Sequence, residues 1–197
     1  MHETELKAVV PDEAACRQRL LAAGAMPVSS GRLEDRRYDF RDGRLTMHDL
    51  VLRLRVRREG DATTATLDWK GPATFERGYK HREETSVPIG DPGQMAGILG
   101  ALGFVVTRAV DRDIQVLQLG EATLRFERFA RMDTLLEVEG PESAIEAAIA
   151  ASGLPRASFT TDRLYMFVQR YEARTGHRAA ICDDEKSGTY QYSVGDA

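Results

Sequence analysis

The sequence predicts an α+β fold built on antiparallel strands whose charged faces share an interior. Two observations predict it. Five segments alternate charged or polar with apolar residues at period two, the pattern of strands whose successive side chains project to opposite faces. The charges are also sorted strand by strand: arginine on one (Arg53, Arg55, Arg57), glutamate on others (Glu3 with Glu5, Glu137 with Glu139). An antiparallel sheet ordinarily has one dry and one wet face, and a wet face usually mixes its polar residues. Whole strands of one type ask for a different explanation.

In chain order, Met1-His2-Glu3-Thr4-Glu5-Leu6-Lys7 places Glu3, Glu5 and Lys7 on one side and runs into Ala8-Val9-Val10. Pro11-Asp12-Glu13 opens a helix to about residue 23, closed by Gly24, with Ala14, Cys16, Leu20 and Leu21 on its apolar face. A strand is expected over 32–40 and a polar loop at Arg41-Asp42-Gly43. Next, Arg53, Arg55 and Arg57 oppose Leu52, Leu54 and Val56. Gly60-Asp61 turns the chain into a strand over 64–70, where Ala65, Leu67 and Trp69 oppose Thr64, Thr66, Asp68 and Lys70. Residues 72–78 read as a loop.

Asp91-Pro92-Gly93 starts a helix over 92–102, ending at Gly103, and strand character resumes at Phe104. Leu124 and Phe126 oppose Arg125 and Glu127, and Leu136-Glu137-Val138-Glu139 sets two carboxylates on one face. Helices are expected over 142–152 and 159–175, the latter with Leu164, Phe167, Val168 and Tyr171 on one face. The order strand, capped helix, glycine occurs twice, near residues 3–24 and before 104, which predicts two similar halves. Residues 1–175 form one domain; residues 176–197 lack periodicity and are expected to be a loosely ordered tail.

Composition bounds the function. The chain has 197 residues, 42% hydrophobic and 29% charged, with a net charge of −4. That is an ordinary water-soluble balance, and it argues against nucleic-acid binding over the whole surface. No apolar run has the length to cross a membrane, and the N-terminus is polar and acidic. Two cysteines, Cys16 and Cys182, make no disulfide framework, so reducing cytoplasm is the expected compartment. None of the four histidines is spaced with Cys or Asp as a zinc site would need.

Electrostatics then points to a ligand. Two guanidiniums about 7 Å apart repel by roughly 2 kcal/mol at an effective dielectric near ~20. Six or more facing one interior need an anion among them, and clustered carboxylates need a cation or raised pKa values. Oxygen donors without His or Cys favour Mg²⁺ or Mn²⁺. A triphosphate carrying a divalent metal satisfies both demands.

The N-terminal Glu3-x-Glu5-x-Lys7 resembles the signature of the CYTH family, the triphosphate tunnel metalloenzymes, which includes class IV adenylyl cyclases, thiamine triphosphatases and inorganic triphosphatases. The resemblance runs over about residues 2–170. Arg53-Leu54-Arg55 resembles the family's Leu-Arg-x-Arg strand, and residues 66–72 its strand ending in Lys70-Gly71-Pro72. Arg82-Glu83-Glu84, Val106-Thr107-Arg108 and Leu136-Glu137-Val138-Glu139-Gly140 follow in the family's order. It implies an eight-stranded antiparallel β-barrel, a tunnel with polar interior and flanking α-helices.

It also implies roles. Glu3, Glu5, Glu127, Glu137 and Glu139 would hold Mg²⁺ or Mn²⁺, with Glu127 where the family usually has aspartate. Lys7, Arg53, Arg55, Lys70, Arg82 and Arg108 would hold phosphate oxygens. Arg57, Arg112 and Arg125 are in register to join that lining or to sit at its rim. Tyr38 matches a tyrosine that accompanies the first-strand lysine in some members, so Lys7 and Tyr38 are the candidate catalytic pair, although Tyr38 could equally pack at the barrel mouth. The implied activity is metal-dependent hydrolysis of a small triphosphate by a monomer or homodimer. Cyclisation of ATP to cyclic AMP ranks behind it because no residues evidently form a base pocket. A noncatalytic polyphosphate-binding module ranks third, since anion binding alone would not need five carboxylates.

Overall fold

The computed structural model describes residues 2–189, with side chains from Thr4 onward. The Glu3 side chain and residues 190–197 of the expected tail lie outside the described residues. The described residues form nine strands: β1 (His2–Val9), β2 (Met26–Phe40), β3 (Val51–Glu59), β4 (Ala62–Lys70), β5 (Thr74–Glu76), β6 (Tyr79–Ile89), β7 (Phe104–Leu119), β8 (Ala122–Phe129) and β9 (Leu135–Glu139). They pair antiparallel in the order β1-β9-β8-β7-β2-β3-β4-β6, and β1 pairs back onto β6. This closes an eight-stranded barrel, with β5 added to β6 outside the ring.

That order is unchanged when β1 to β4 are exchanged with β6 to β9. The two halves expected from the sequence therefore exist as a topological two-fold. Their first helices are capped alike. In α1 (Glu13–Ala22) Asp12 accepts from the Ala15 N–H, and in α3 (Pro92–Ala101) Asp91 accepts from the Gln94 N–H, both at 2.9 Å.

The apolar faces look outward. Leu6, Leu124, Phe126, Leu136 and Val138 leave the barrel wall and are covered by Leu20 of α1 and by Ile145 and Ile149 of α4 (Glu142–Ser152). A second cluster, Tyr38, Leu54 and Leu99, seats α3 on the opposite wall. Burying each such leucine or phenylalanine stabilises the fold by about 1.5–3 kcal/mol. The hydrophobic layers thus lie between barrel and helices, leaving the bore to the charged faces.

Four sequence expectations need correction. The loop at 72–78 contains β5, and a short helix α2 (Arg44–Met47) follows residue 43, its N-terminal N–H groups taken by Asp39. The last long helix, α5, is Leu164–Thr175 and does not begin at 159. Residue 160 is instead extended, because Thr160 exchanges both backbone hydrogen bonds with Lys7 where β1 has left β6.

The segment 176–189 is not loose. Ala180 pairs with Arg131, the Ile181 carbonyl accepts from the Asp111 N–H, and Ala179, Ala180, Ile181 and Cys182 are buried ahead of α6 (Asp183–Ser187). Four short apolar residues without helical or alternating spacing give no periodic signal, yet they suffice to seal a seam.

Candidate functional site

The bore is a cavity of about 580 Å³. The strand registers that build it place side chains of chosen charge directly opposite one another. Glu5 on β1 faces Glu139 on β9, and Lys7 faces Glu137, which in turn faces Arg125 on β8. On the other side Arg53 faces Asp68, Arg55 faces Asp35, and Lys70 faces Glu84. Lys7 Nζ lies 2.9 Å from Glu5 and 2.7 Å from Glu137; Lys80 also reaches Glu5, and Arg125 reaches Glu137. Arg112 bridges Glu127 at 2.7 Å and Asp35 at 3.0 Å, while Arg55 takes both Asp35 oxygens at 2.7 Å. Arg82 and Arg163 both reach Asp49 Oδ1 at 2.8 Å.

The pKa directions follow from these contacts. Burial disfavours the Lys7 ammonium, but Glu137 and Glu5 outweigh it and hold its pKa well above the usual lysine value. Paired in this way, Lys7 is a cation. Burial pushes Glu137 up, yet Arg125 and Lys7 hold it well below the carboxylate range; Arg112 and Arg125 lower Glu127 against its own burial. Asp35 is held far down by Arg112, Arg53 and Arg55 against its own burial.

Arg37 behaves in the opposite way. It stands on β2 directly opposite Arg53 of β3 and Arg108 of β7, three arginines in a row across three strands. It has no ion pair among the described residues. Burial, with Arg108, Arg82, Arg53 and Arg163 as neighbours, lowers its pKa to about 10. Like charges directly opposed across strands are destabilising. An anion placed among them would relieve that repulsion.

The structure brings together Glu5, Lys7, Arg53, Arg55, Lys70, Arg82, Arg108, Arg125, Glu127, Glu137 and Glu139 on the bore, together with Arg57 and Arg112. Tyr38 is the exception. A register shift between Arg37 and Tyr38 accompanies its position in the outer cluster with Leu54 and Leu99, only 6% exposed, so it cannot act on a ligand in the bore. Sequence reasoning missed Arg37, Asp35, Asp49 and Lys80 and gave Asp68 no part in the site. Asp35 and Arg37 could have been found, because they continue the odd-numbered polar positions of β2.

Twelve basic and nine acidic side chains line the bore, an excess of three positive charges among the described residues. No three carboxylates, histidines or cysteines already converge as a metal site among those residues. The donor chemistry still fits a hard divalent cation: Glu5, Glu137 and Glu139 are neighbouring oxygen donors on β1 and β9, with Glu127 beside them on β8. Taking one up requires Glu5 and Glu137 to release their lysines.

The fold is shared widely. A Pyrococcus horikoshii protein, PH1819, superposes with TM-score 0.70 at 22% identity over 85% of this chain and 98% of its own. A candidate adenylate cyclase from Vibrio parahaemolyticus gives 0.71 at 18% identity, covering 86% and 98%. A Hippeastrum candidate adenylyl cyclase, described as having a dominant triphosphatase activity, gives 0.61 at 19% identity, covering 88% and 96%. At such identities the likeness shows the fold alone. No curated protein matches the chain. The CYTH domain profile matches residues 1–149, three quarters of the sequence and every barrel strand, so the chain belongs to the CYTH domain family.

Proposed function

We propose that this protein hydrolyses a triphosphate held in the bore, with a divalent cation. The observation that carries the reading is Arg37, set between Arg53 and Arg108 with its guanidinium unmatched by any described carboxylate. That row, with Arg82, would hold phosphate oxygens, and Lys7 would add its positive charge from the acidic wall. Phosphoryl transfer asks the protein mainly for positioning and charge neutralisation, which opposed basic and acidic walls provide. Glu5, Glu127, Glu137 and Glu139, with Glu3, would hold Mg²⁺ or Mn²⁺. The cation would polarise a phosphoryl oxygen and lower the pKa of a bound water. The activity in the Hippeastrum protein's description agrees with this reading.

The test incubates the protein with Mg²⁺ or Mn²⁺ and, in turn, tripolyphosphate, thiamine triphosphate and ATP. Orthophosphate release is expected. Cyclic AMP and pyrophosphate in equal amounts from ATP would replace hydrolysis with cyclisation, and binding without turnover would leave a noncatalytic module.

Arg37 separates stability from binding. Its folded pKa lies below its unfolded one, so its charge costs stability below about pH 10, and the cost is relieved as pH rises through that value. Arg37→Met is expected to unfold later in urea by about 1–3 kcal/mol at neutral pH. The same variant should bind tripolyphosphate at least ~10-fold more weakly by calorimetry.

A further inference from the structure

A second cavity of about 400 Å³ lies beyond the bore and shares two of its walls, Arg108 and Tyr165. Its remaining lining comes from α5 and the segment 176–185: Val168, Glu172, Ala179, Ile181 and Glu185, with His177 and Arg178. The family match ends at residue 149, so apart from Arg108 this cavity is made by chain outside it. Its chemistry differs from the bore's. Val168, Ala179 and Ile181 are apolar, and Tyr165 offers an aromatic ring. Glu172 spends Oε1 on the Ala179 N–H at 2.9 Å, and Glu185 spends Oε2 on the Ile181 N–H at 2.8 Å. Neither forms an ion pair among the described residues, which leaves each a second oxygen for a donor. A mostly apolar pocket of this size with a few fixed polar groups is how proteins bind small organic molecules.

We infer that the second cavity receives the organic end of the substrate, an aromatic heterocycle bearing amino donors, while the phosphates stay in the bore. This rests on the proposed function for the phosphate end only. Arg108 and Tyr165 face both spaces, so a phosphate against Arg108 has its ester substituent at the boundary. There the ring meets Tyr165, and the amino donors meet Glu172 and Glu185. An inorganic chain would leave these acceptors unused, whereas a substrate matching them gains discrimination.

Calorimetric titration tests the inference without any turnover, so that its failure is distinct from failure of hydrolysis. Wild-type protein and two variants, Val168→Trp and Tyr165→Ala, are titrated with tripolyphosphate, ATP and thiamine triphosphate. Wild type is expected to bind one of the organic triphosphates at least ~10-fold more tightly than tripolyphosphate. Val168→Trp fills the cavity and should erase most of that advantage while leaving tripolyphosphate affinity within about twofold; Tyr165→Ala removes the ring and should also erase most of the advantage. Equal affinity of wild type for all three, or loss of both ligand classes together in folded Val168→Trp, would overturn the inference. Absence of phosphate release with the organic preference intact would instead count against the hydrolase.

Discussion

Glu137→Gln should lower triphosphate hydrolysis by roughly 100- to 1,000-fold, the effect of losing about 2.7–4 kcal/mol of transition-state stabilisation. Glu137 is the hinge of the acidic wall: nearly buried, held by Lys7 at 2.7 Å and by Arg125, and opposite both in register. Glutamine keeps its shape and removes its charge. The cations beside it keep other partners, because Lys7 retains Glu5 at 2.9 Å and Arg125 retains Glu127 at 3.2 Å. The fold should therefore survive, which circular dichroism and urea unfolding check. Anion binding should tighten modestly, since one negative charge has left the bore, while turnover collapses. Turnover within threefold of wild type would remove Glu137 from the chemistry.

Asp35→Asn is expected to be the most destabilising of the bore substitutions, by about 3–5 kcal/mol in urea unfolding, because it leaves buried cations under-compensated. Asp35 is 4% exposed and answers three arginines, Arg55 and Arg112 directly and Arg53 at 3.6 Å. Its folded pKa is depressed, so its stabilisation is fully present above the ordinary carboxylate range and is lost as pH falls through the folded value. Wild type should thus lose stability on acidification below about pH 4 more steeply than the variant. Added tripolyphosphate should restore much of the variant's loss, since a ligand at 100 times its Kd contributes about 2.7 kcal/mol. A variant as stable as wild type would show that water already screens the three guanidiniums.

Much of this was legible in the chain, and the reasons are physical. Period-two alternation survives in any strand with two unlike faces, so β1, β3, β4, β8 and β9 were readable residue by residue. Asp12 and Asp91 announced α1 and α3 through their capping side chains. What escaped was set by long-range register. Tyr38 rests on the family resemblance alone, with packing at the barrel mouth as its alternative, and a shift in the β2–β7 pairing accompanies its place under α3. Arg37 sat one residue away and was passed over, because its meaning comes only from Arg53 and Arg108, 16 and 71 positions distant. The second cavity was invisible for the same reason: Ala179 and Ile181 carry no pattern until they meet β7 and α5.

The positive excess of the bore has a counterpart outside it. Leaving out Glu3 and Asp196, the described side chains sum to −2; the bore lining is +3, so the rest of them sum to −5. An approaching anion meets a repelling shell first and an attracting throat only within about a Debye length of the mouth, ~10 Å at 0.1 M salt. On the proposed reading, nucleic acid strands, too long to enter, should bind more weakly than tripolyphosphate in a low-salt binding comparison. Added salt should soften the outer barrier more than the enclosed attraction, giving capture an ionic-strength dependence much flatter than an open basic patch would show.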